Sequence, residues 1–299
     1  MARIELPDRG LWLEAESHGD ANDPVVILVM GLGLQLVSWP APLIEALVAS
    51  RRRVIVFDNR DVGLSGTRVS ADATSLNRAL LSYLLHRSFV PPYTIADMAA
   101  DTLALADALH VARFDLVGVS LGGMVAQTIA ADEPGRVRSL TTIMSSAGPR
   151  ASPWPTFTVL RKFLHRVPRD APFDVQLDHF TDLLCSLGHL REPAEIEALR
   201  ARLRISLKRA YNPAGTMRQL LAVLAAPDRS DSVAGIRCPT LIVHGADDPL
   251  VPLPAARRLA ELIPHARLEI LHNFGHYLPL AKMPVLADLI LAQLAEAAD

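Results

Sequence analysis

The sequence predicts an α/β fold built on a mostly parallel, eight-stranded sheet flanked by helices, and three observations carry that expectation. Short β-branched runs alternate with longer amphipathic stretches, the pattern of strand–helix–strand crossovers. Several of the short runs are apolar throughout, as strands covered by helices on both faces must be. One stretch of about eighty residues then breaks the alternation with helical spacing alone, which marks an insertion.

Residues 4–17 read as an antiparallel pair turning near Asp8-Arg9-Gly10. Strands follow at 25–30 (VVILVM), 53–57 (RVIVF), 114–119 (FDLVGV), 140–144 (LTTIM), 240–244 (TLIVH) and 268–271 (LEIL). Apolar residues recur at helical intervals over 42–50, 95–110, 121–131, 254–262 and 285–297. In the interrupting stretch, Trp154, Phe157, Leu160 and Leu164 form one helical series, and Phe173, Leu177, Phe180, Leu184 and Leu187 form another. Pro153, Pro155, Pro168, Pro172, Pro193 and Pro213 cut that stretch into short helices. The expected organisation is a core of residues 1–147 and 233–299, with a helical cap of residues 148–232 inserted between its halves. A further apolar segment, 75–86 (SLNRALLSYLLH), is expected at the mouth of the site.

Composition narrows the function without naming it. Thirty basic against thirty-two acidic residues leave a net charge of −2, so charge gives no reason to expect a nucleic-acid partner. The first ten residues, MARIELPDRG, lack the apolar stretch of a signal peptide. The longest uncharged apolar run, 25–34, is half of the ~20 residues a membrane helix needs. A cytoplasmic protein without a membrane partner is expected. Two cysteines, Cys185 and Cys238, form no disulfide framework or metal spacing and read as reduced, partly buried side chains.

The chemistry lies at the ends of the strands. Gly118-Val119-Ser120-Leu121-Gly122 is a G-x-S-x-G pattern between a strand and a helix. A serine on so sharp a turn is crowded by its neighbours, and glycines on either side remove the offending Cβ atoms. Its hydroxyl is a weak nucleophile that needs a base, itself oriented by an acid. After TLIVH comes Gly245-Ala246-Asp247-Asp248-Pro249; after LEIL comes His272-Asn273-Phe274-Gly275-His276. Asp247 and Asp248 both qualify as the acid, and His272 and His276 both qualify as the base. The i, i+4 histidines do not read as a metal site, because Asn273 and Gly275 favour a loop over a helix and no glutamate accompanies them.

With serine, aspartate and histidine in that order, each just beyond a strand, the chain resembles the α/β-hydrolase fold family over essentially its whole length outside the cap. The resemblance implies Asp248 as the acid, three residues beyond Gly245, with Asp247 as the alternative. It implies His276 as the base, since Gly275-His276-Tyr277-Leu278-Pro279 matches the family's Gly-His-x-x-Pro, with His272 as competitor. It assigns the oxyanion-hole amides to Leu121 and to the loop Met30-Gly31-Leu32-Gly33, where Leu32 is favoured over Gly33. Many relatives carry His-Gly where this chain has Met30-Gly31, and they often read Asp-x-Arg-Gly where it has Asp58-Asn59-Arg60-Asp61. Arg60 is expected to tie its loop to neighbours rather than meet substrate. Trp39 is expected in the core, and Gln35 receives no role.

Within the family, MGLGLQLVSWP and FDNRDVGLS resemble a branch of polyketide methyl esterases and carboxylesterases. The implied activity is hydrolysis of a small-molecule ester through an acyl-enzyme, with a hydrophobic substrate beneath the cap and no metal or organic cofactor. Lactonases, C–C bond hydrolases and cofactor-free perhydrolases share this residue set, and some non-enzymatic receptors keep it intact. The expectation is therefore an esterase, with those as rivals.

Overall fold

Eight strands form a single sheet in a computed structural model of the chain. It describes residues 1–66, 75–85, 87–149, 152–153, 155–165, 167–168 and 170–297. Strands β1 (Ala2–Leu6) and β2 (Leu11–His18) form the antiparallel edge pair, joined by a tight turn that ends at Gly10 with φ 63°. The others are β3 (Val25–Val29), β4 (Arg53–Phe57), β5 (Phe114–Val119), β6 (Val137–Ile143), β7 (Thr240–Gly245) and β8 (Arg267–Leu271). Their order is β1-β2-β4-β3-β5-β6-β7-β8, and every pairing from β4 to β8 is parallel.

The continuously apolar strands are buried on both faces, and successive residues feed two separate cores. Val25, Ile27 and Val29 join one apolar cluster, and Val26 and Leu28 join the other. The first face is covered by α3 (Ile95–Ala108), α4 (Leu121–Asp132) and α10 (Leu253–Leu262). The second is covered by α1 (Ala41–Ala49) and α11 (Met283–Glu296), with Trp39 in the same cluster, as expected.

One strand begins earlier than the sequence suggests. β6 opens at Val137 rather than Leu140, although Arg138 and Ser139 interrupt the apolar run. The pairing with β5 shifts register there, β6 advancing three residues from Val137 to Leu140 while β5 advances two from Phe114 to Leu116. The buried Asp115 carboxylate accepts hydrogen bonds from Arg138 (Nη2, 2.8 Å) and Ser139 (Oγ, 2.7 Å), so polar residues pair inside the sheet.

Between β6 and β7 the described residues contain helices alone: α5 (Phe157–Leu164), α6 (Phe173–Gly188), α7 (Pro193–Arg209), α8 (Pro213–Ala225) and α9 (Ser230–Ala234). Two of these match the two expected helical series. Trp154 and the side chains of Leu160 and Leu164 lie outside the described residues. The 75–86 segment forms α2 (Leu76–Leu84), capped by the Ser75 side chain; His86 lies outside the described residues. None of the described helices is long and apolar enough to cross a membrane.

Candidate active site

Ser120 sits at the β5–α4 turn with φ 54° and ψ −116°, a region that side-chain-bearing residues rarely occupy. The flanking glycines make the turn possible. A Cβ on Gly118 would collide with the backbone of Gly122, and a Cβ on Gly122 would strike the carbonyl of Val29 on β3. The turn is tied down on three sides. The Ser120 amide donates to Ile143 O (2.9 Å), its carbonyl accepts from Met124 N (3.2 Å), and the Ser145 hydroxyl donates to the same carbonyl (2.8 Å). The serine hydroxyl is thereby lifted clear of the sheet at the positive end of α4.

The loops after β7 and β8 bring the other two groups to it. His276 Nε2 lies 2.9 Å from Ser120 Oγ, and His276 Nδ1 lies 2.7 Å from Asp248 Oδ2. The second oxygen of Asp248 accepts from the Leu250 and Val251 amides at 2.9 and 2.8 Å, so the carboxylate cannot rotate away. Because a carboxylate faces Nδ1, that nitrogen carries the proton and Nε2 is left to accept one from the serine. Both Asp248 and His276 are buried.

The competing residues have other work. Asp247 is exposed, and its carboxylate accepts from the Asn273 amide (3.1 Å), tying the β7 loop to the β8 loop. His272 is exposed, and its carbonyl accepts from Lys282 Nζ (2.9 Å). Among the described residues no group of three His, Cys, Asp or Glu side chains is arranged to hold a metal ion. The amides of Leu32 and Gly33 differ in their partners. The Gly33 amide donates to Gln219 Oε1 on α8 (2.8 Å), whereas among the described residues no acceptor engages the amides of Leu32 or Leu121. Gly31 brings this loop against the serine; a Cβ there would lie 3.4 Å from Ser120 Cβ.

Several polar residues near the site went unread in the sequence. His244, at the end of β7, is fully buried behind Asp248, with Nε2 2.8 Å from Val251 O and 3.6 Å from Asp248 Oδ2. Burial holds its imidazole below the usual histidine value, and the nearby Asp248 opposes that shift. Gln35 donates to Ser206 O and Ala210 O at the end of α7 (2.8 and 2.7 Å). Asp58 pairs with Arg209 of α7 (2.6 Å), and Asp61 pairs with Arg218 of α8. Gln219 also donates to Arg60 O (2.9 Å). The departure at position 61 is the one visible signal: a carboxylate replaces a glycine where the backbone has φ 70°. Arg60 behaves as expected, gripping Asp101 through Nε (2.5 Å) and Nη2 (2.6 Å).

On the far side of α4, the buried Arg229 donates to Met124 O, Gln127 Oε1 and Ser146 O at 2.8–3.0 Å. Burial lowers its pKa to about 10. Cys185 and Cys238 are free and partly buried, as expected; burial raises both thiols, Cys238 to about 11. Ser120 and His276 open into a cavity of about 640 Å³ lined from above by α2, α6, α7 and α8, with largely apolar walls.

Residues 24–282 match the family model described as alpha/beta hydrolase fold. The chain belongs to the alpha/beta hydrolase fold family. Rhodomycin D methylesterase DnrP of Streptomyces peucetius is 30% identical over 306 residues, covering 94% of each chain. RutD of Variovorax paradoxus (strain S110), named for carbamate hydrolysis, is 29% identical over 88% of this chain and 89% of its own. A carboxylesterase structure from Nitrososphaera gargenis superposes with a TM-score of 0.75 over 99% of both chains at 21% identity, a likeness of fold. Both the family and the mostly parallel sheet match the sequence-based expectation.

Proposed function

We propose that this alpha/beta hydrolase is a serine-dependent carboxylic ester hydrolase acting through an acyl-enzyme. The observation that carries the reading is the unbroken relay from Asp248 through His276 to Ser120, at 2.7 and 2.9 Å. Ser120 Oγ attacks the ester carbonyl while its proton passes to His276 Nε2. The carbonyl oxygen becomes an alkoxide that the Leu32 and Leu121 amides hold in this reading, since backbone donors fixed in advance need no reorganisation. The imidazolium, steadied by Asp248, protonates the leaving alcohol. Water then enters, gives its proton to His276 and attacks the acyl-enzyme, and collapse of the second tetrahedral adduct frees the acid and restores Ser120. This chemistry calls for no metal or organic cofactor.

The α5–α9 segment acts in this reading as a cap over the core, setting what reaches the serine. Its apolar inner wall suits a hydrophobic or aromatic acyl or alcohol group. The likeness to a methylesterase supports ester chemistry, and the likeness to RutD keeps carbamates as the second class to test. Both substrates present a carbonyl to the same serine.

Hydrolysis of p-nitrophenyl esters from acetate to palmitate, by the parent and by Ser120→Ala, tests the proposal. Turnover by the parent alone is expected, with the chain-length optimum reporting the depth of the cavity. Equal rates for the two proteins overturn the mechanism. Labelling of Ser120 by a phosphonate without ester turnover shifts the assignment to carbamates, lactones, C–C substrates or a receptor.

A further inference from the structure

The loop that carries His276 is held by the helices above it as well as by the sheet below. The His276 amide donates to Leu187 O, in the last turn of α6, at 2.7 Å. Four residues later the amides of Leu280 and Ala281 both donate to the carboxylate of Glu195, in the first turn of α7, at 3.0 and 2.7 Å. Between these two anchors, Tyr277 accepts a hydrogen bond from Arg202 of α7, which also lies over its ring (5.4 Å to the centroid). Gly275 and Gly188 allow the approach. A Cβ on Gly275 would overlap Leu187 O, and a Cβ on Gly188 would stand 2.8 Å from Tyr277 Cβ.

We infer that Glu195 is a positioning residue for His276, acting through the backbone of the 276–281 loop, so that the inserted helices form part of the machinery that aims the base. This rests on the reading of His276 as that base. The imidazole meets two partners at once, Asp248 and Ser120, and both are fixed to the sheet. Its own main chain is fixed to α6 and, through Glu195, to α7. A carboxylate taking two consecutive amides is a charge-assisted, two-point clamp, stronger and more directional than one neutral hydrogen bond. Releasing it lets the loop drift, and a displacement of about 1 Å at a reacting group costs on the order of a hundredfold in rate. Binding is spared, because Glu195 is not among the residues lining the cavity.

The test compares the parent, Glu195→Ala, Glu195→Gln, Ser120→Ala and His276→Ala on the p-nitrophenyl ester the parent turns over fastest. Glu195→Ala is expected to lower kcat about ten- to a hundredfold while KM stays within about twofold. The low-field proton resonance of the His276 Nδ1–H should broaden or shift. Glu195→Gln, which keeps one of the two acceptor oxygens but sets its NH2 against the other amide, should recover only part of the lost kcat. A kcat for Glu195→Ala equal to the parent's, or a loss that only follows the fraction of folded protein with that resonance unchanged, overturns the inference. Parental activity in His276→Ala would instead remove the catalytic reading on which it stands.

Discussion

Asp61 and Arg218 face each other as a two-point ion pair, with Nε–Oδ2 and Nη2–Oδ1 distances of 2.8 and 2.6 Å. The carboxylate is fully buried, and its residue adopts φ 70° to present it. Removing the aspartate strands a guanidinium that keeps part of its surface in water. Asp61→Ala should therefore cost about 3 kcal/mol, the lower end of the range for breaking a buried pair. Asp61→Gly should cost roughly 1 kcal/mol less, because glycine relieves the left-handed backbone. Urea denaturation of the two variants checks the order. Equal midpoints would show that position 61 bears no backbone strain.

Ser120 occupies its strained turn for the sake of its hydroxyl, so substitutions there separate strain from chemistry. Ser120→Ala and Ser120→Gly should both lose turnover. Ser120→Gly should be the more stable of the two by about 1 kcal/mol, since only glycine adopts φ 54°, ψ −116° freely. Thermal melts of both proteins test this, and a lower Tm for the glycine variant would count against strain at the turn.

Gly122 has no such latitude. A methyl group there meets the Val29 carbonyl in the central sheet, where neither α4 nor β3 can retreat. Gly122→Ala is expected to destabilise the protein by about 3 kcal/mol or more, the cost of forcing atoms into a closed core. Gly135→Ala, with open space around its Cβ, is the matched control and should leave the Tm within a few degrees. Similar melts for the two variants would refute the steric account.

The buried His244 and the half-buried His179 predict how stability follows pH. His244 is held below the ordinary value near 6.5 by burial, and His179 is lowered by burial and then by the neighbouring His165. As pH falls through about 6.5 the unfolded chain takes up protons at these sites while the folded chain resists. Stability present above that pH is therefore lost on acidification, with a slope of up to ~1.4 kcal/mol per pH unit from the buried His244 and a smaller, solvent-screened contribution from His179. Urea midpoints at pH 7.5 and 5.5 should differ less in His244→Gln than in the parent. An unchanged difference would mean that His244 does not contribute.

What could be read in the sequence and what could not follow from the range of the interactions. The apolar runs 25–30 and 240–244 announce buried strands because both of their faces meet helices, a local signature. Ser120 and the loops that carry Asp248 and His276 are legible because each follows a strand, while the preference for Asp248 over Asp247 and for His276 over His272 rests on the family resemblance. The start of β6 was hidden because Arg138 and Ser139 look like surface residues until Asp115, over twenty positions away, is seen to satisfy them. Gln219 engages the Gly33 amide across 186 residues, and no local pattern encodes such a contact. The same holds for Gln35, whose partners lie 171 and 175 residues away at the end of α7.

The fastening of α7 and α8 bears on how such a protein diversifies. Arg209, Arg218 and Gln219 reach down to Asp58, Asp61, Arg60 and Gly33, so the helices and the two loops beneath them interlock like a key and its wards. Transplanting the helices alone into a relative with glycine at position 61 would leave Arg218 unmatched. The helices and the scattered positions that fasten them must then change together, and the insertion is not a cassette bounded by its own ends. Laboratory shuffling that respects only the insertion's borders should yield mostly unstable chimaeras. Libraries that carry positions 35, 58 and 61 along with the helices should yield folded ones.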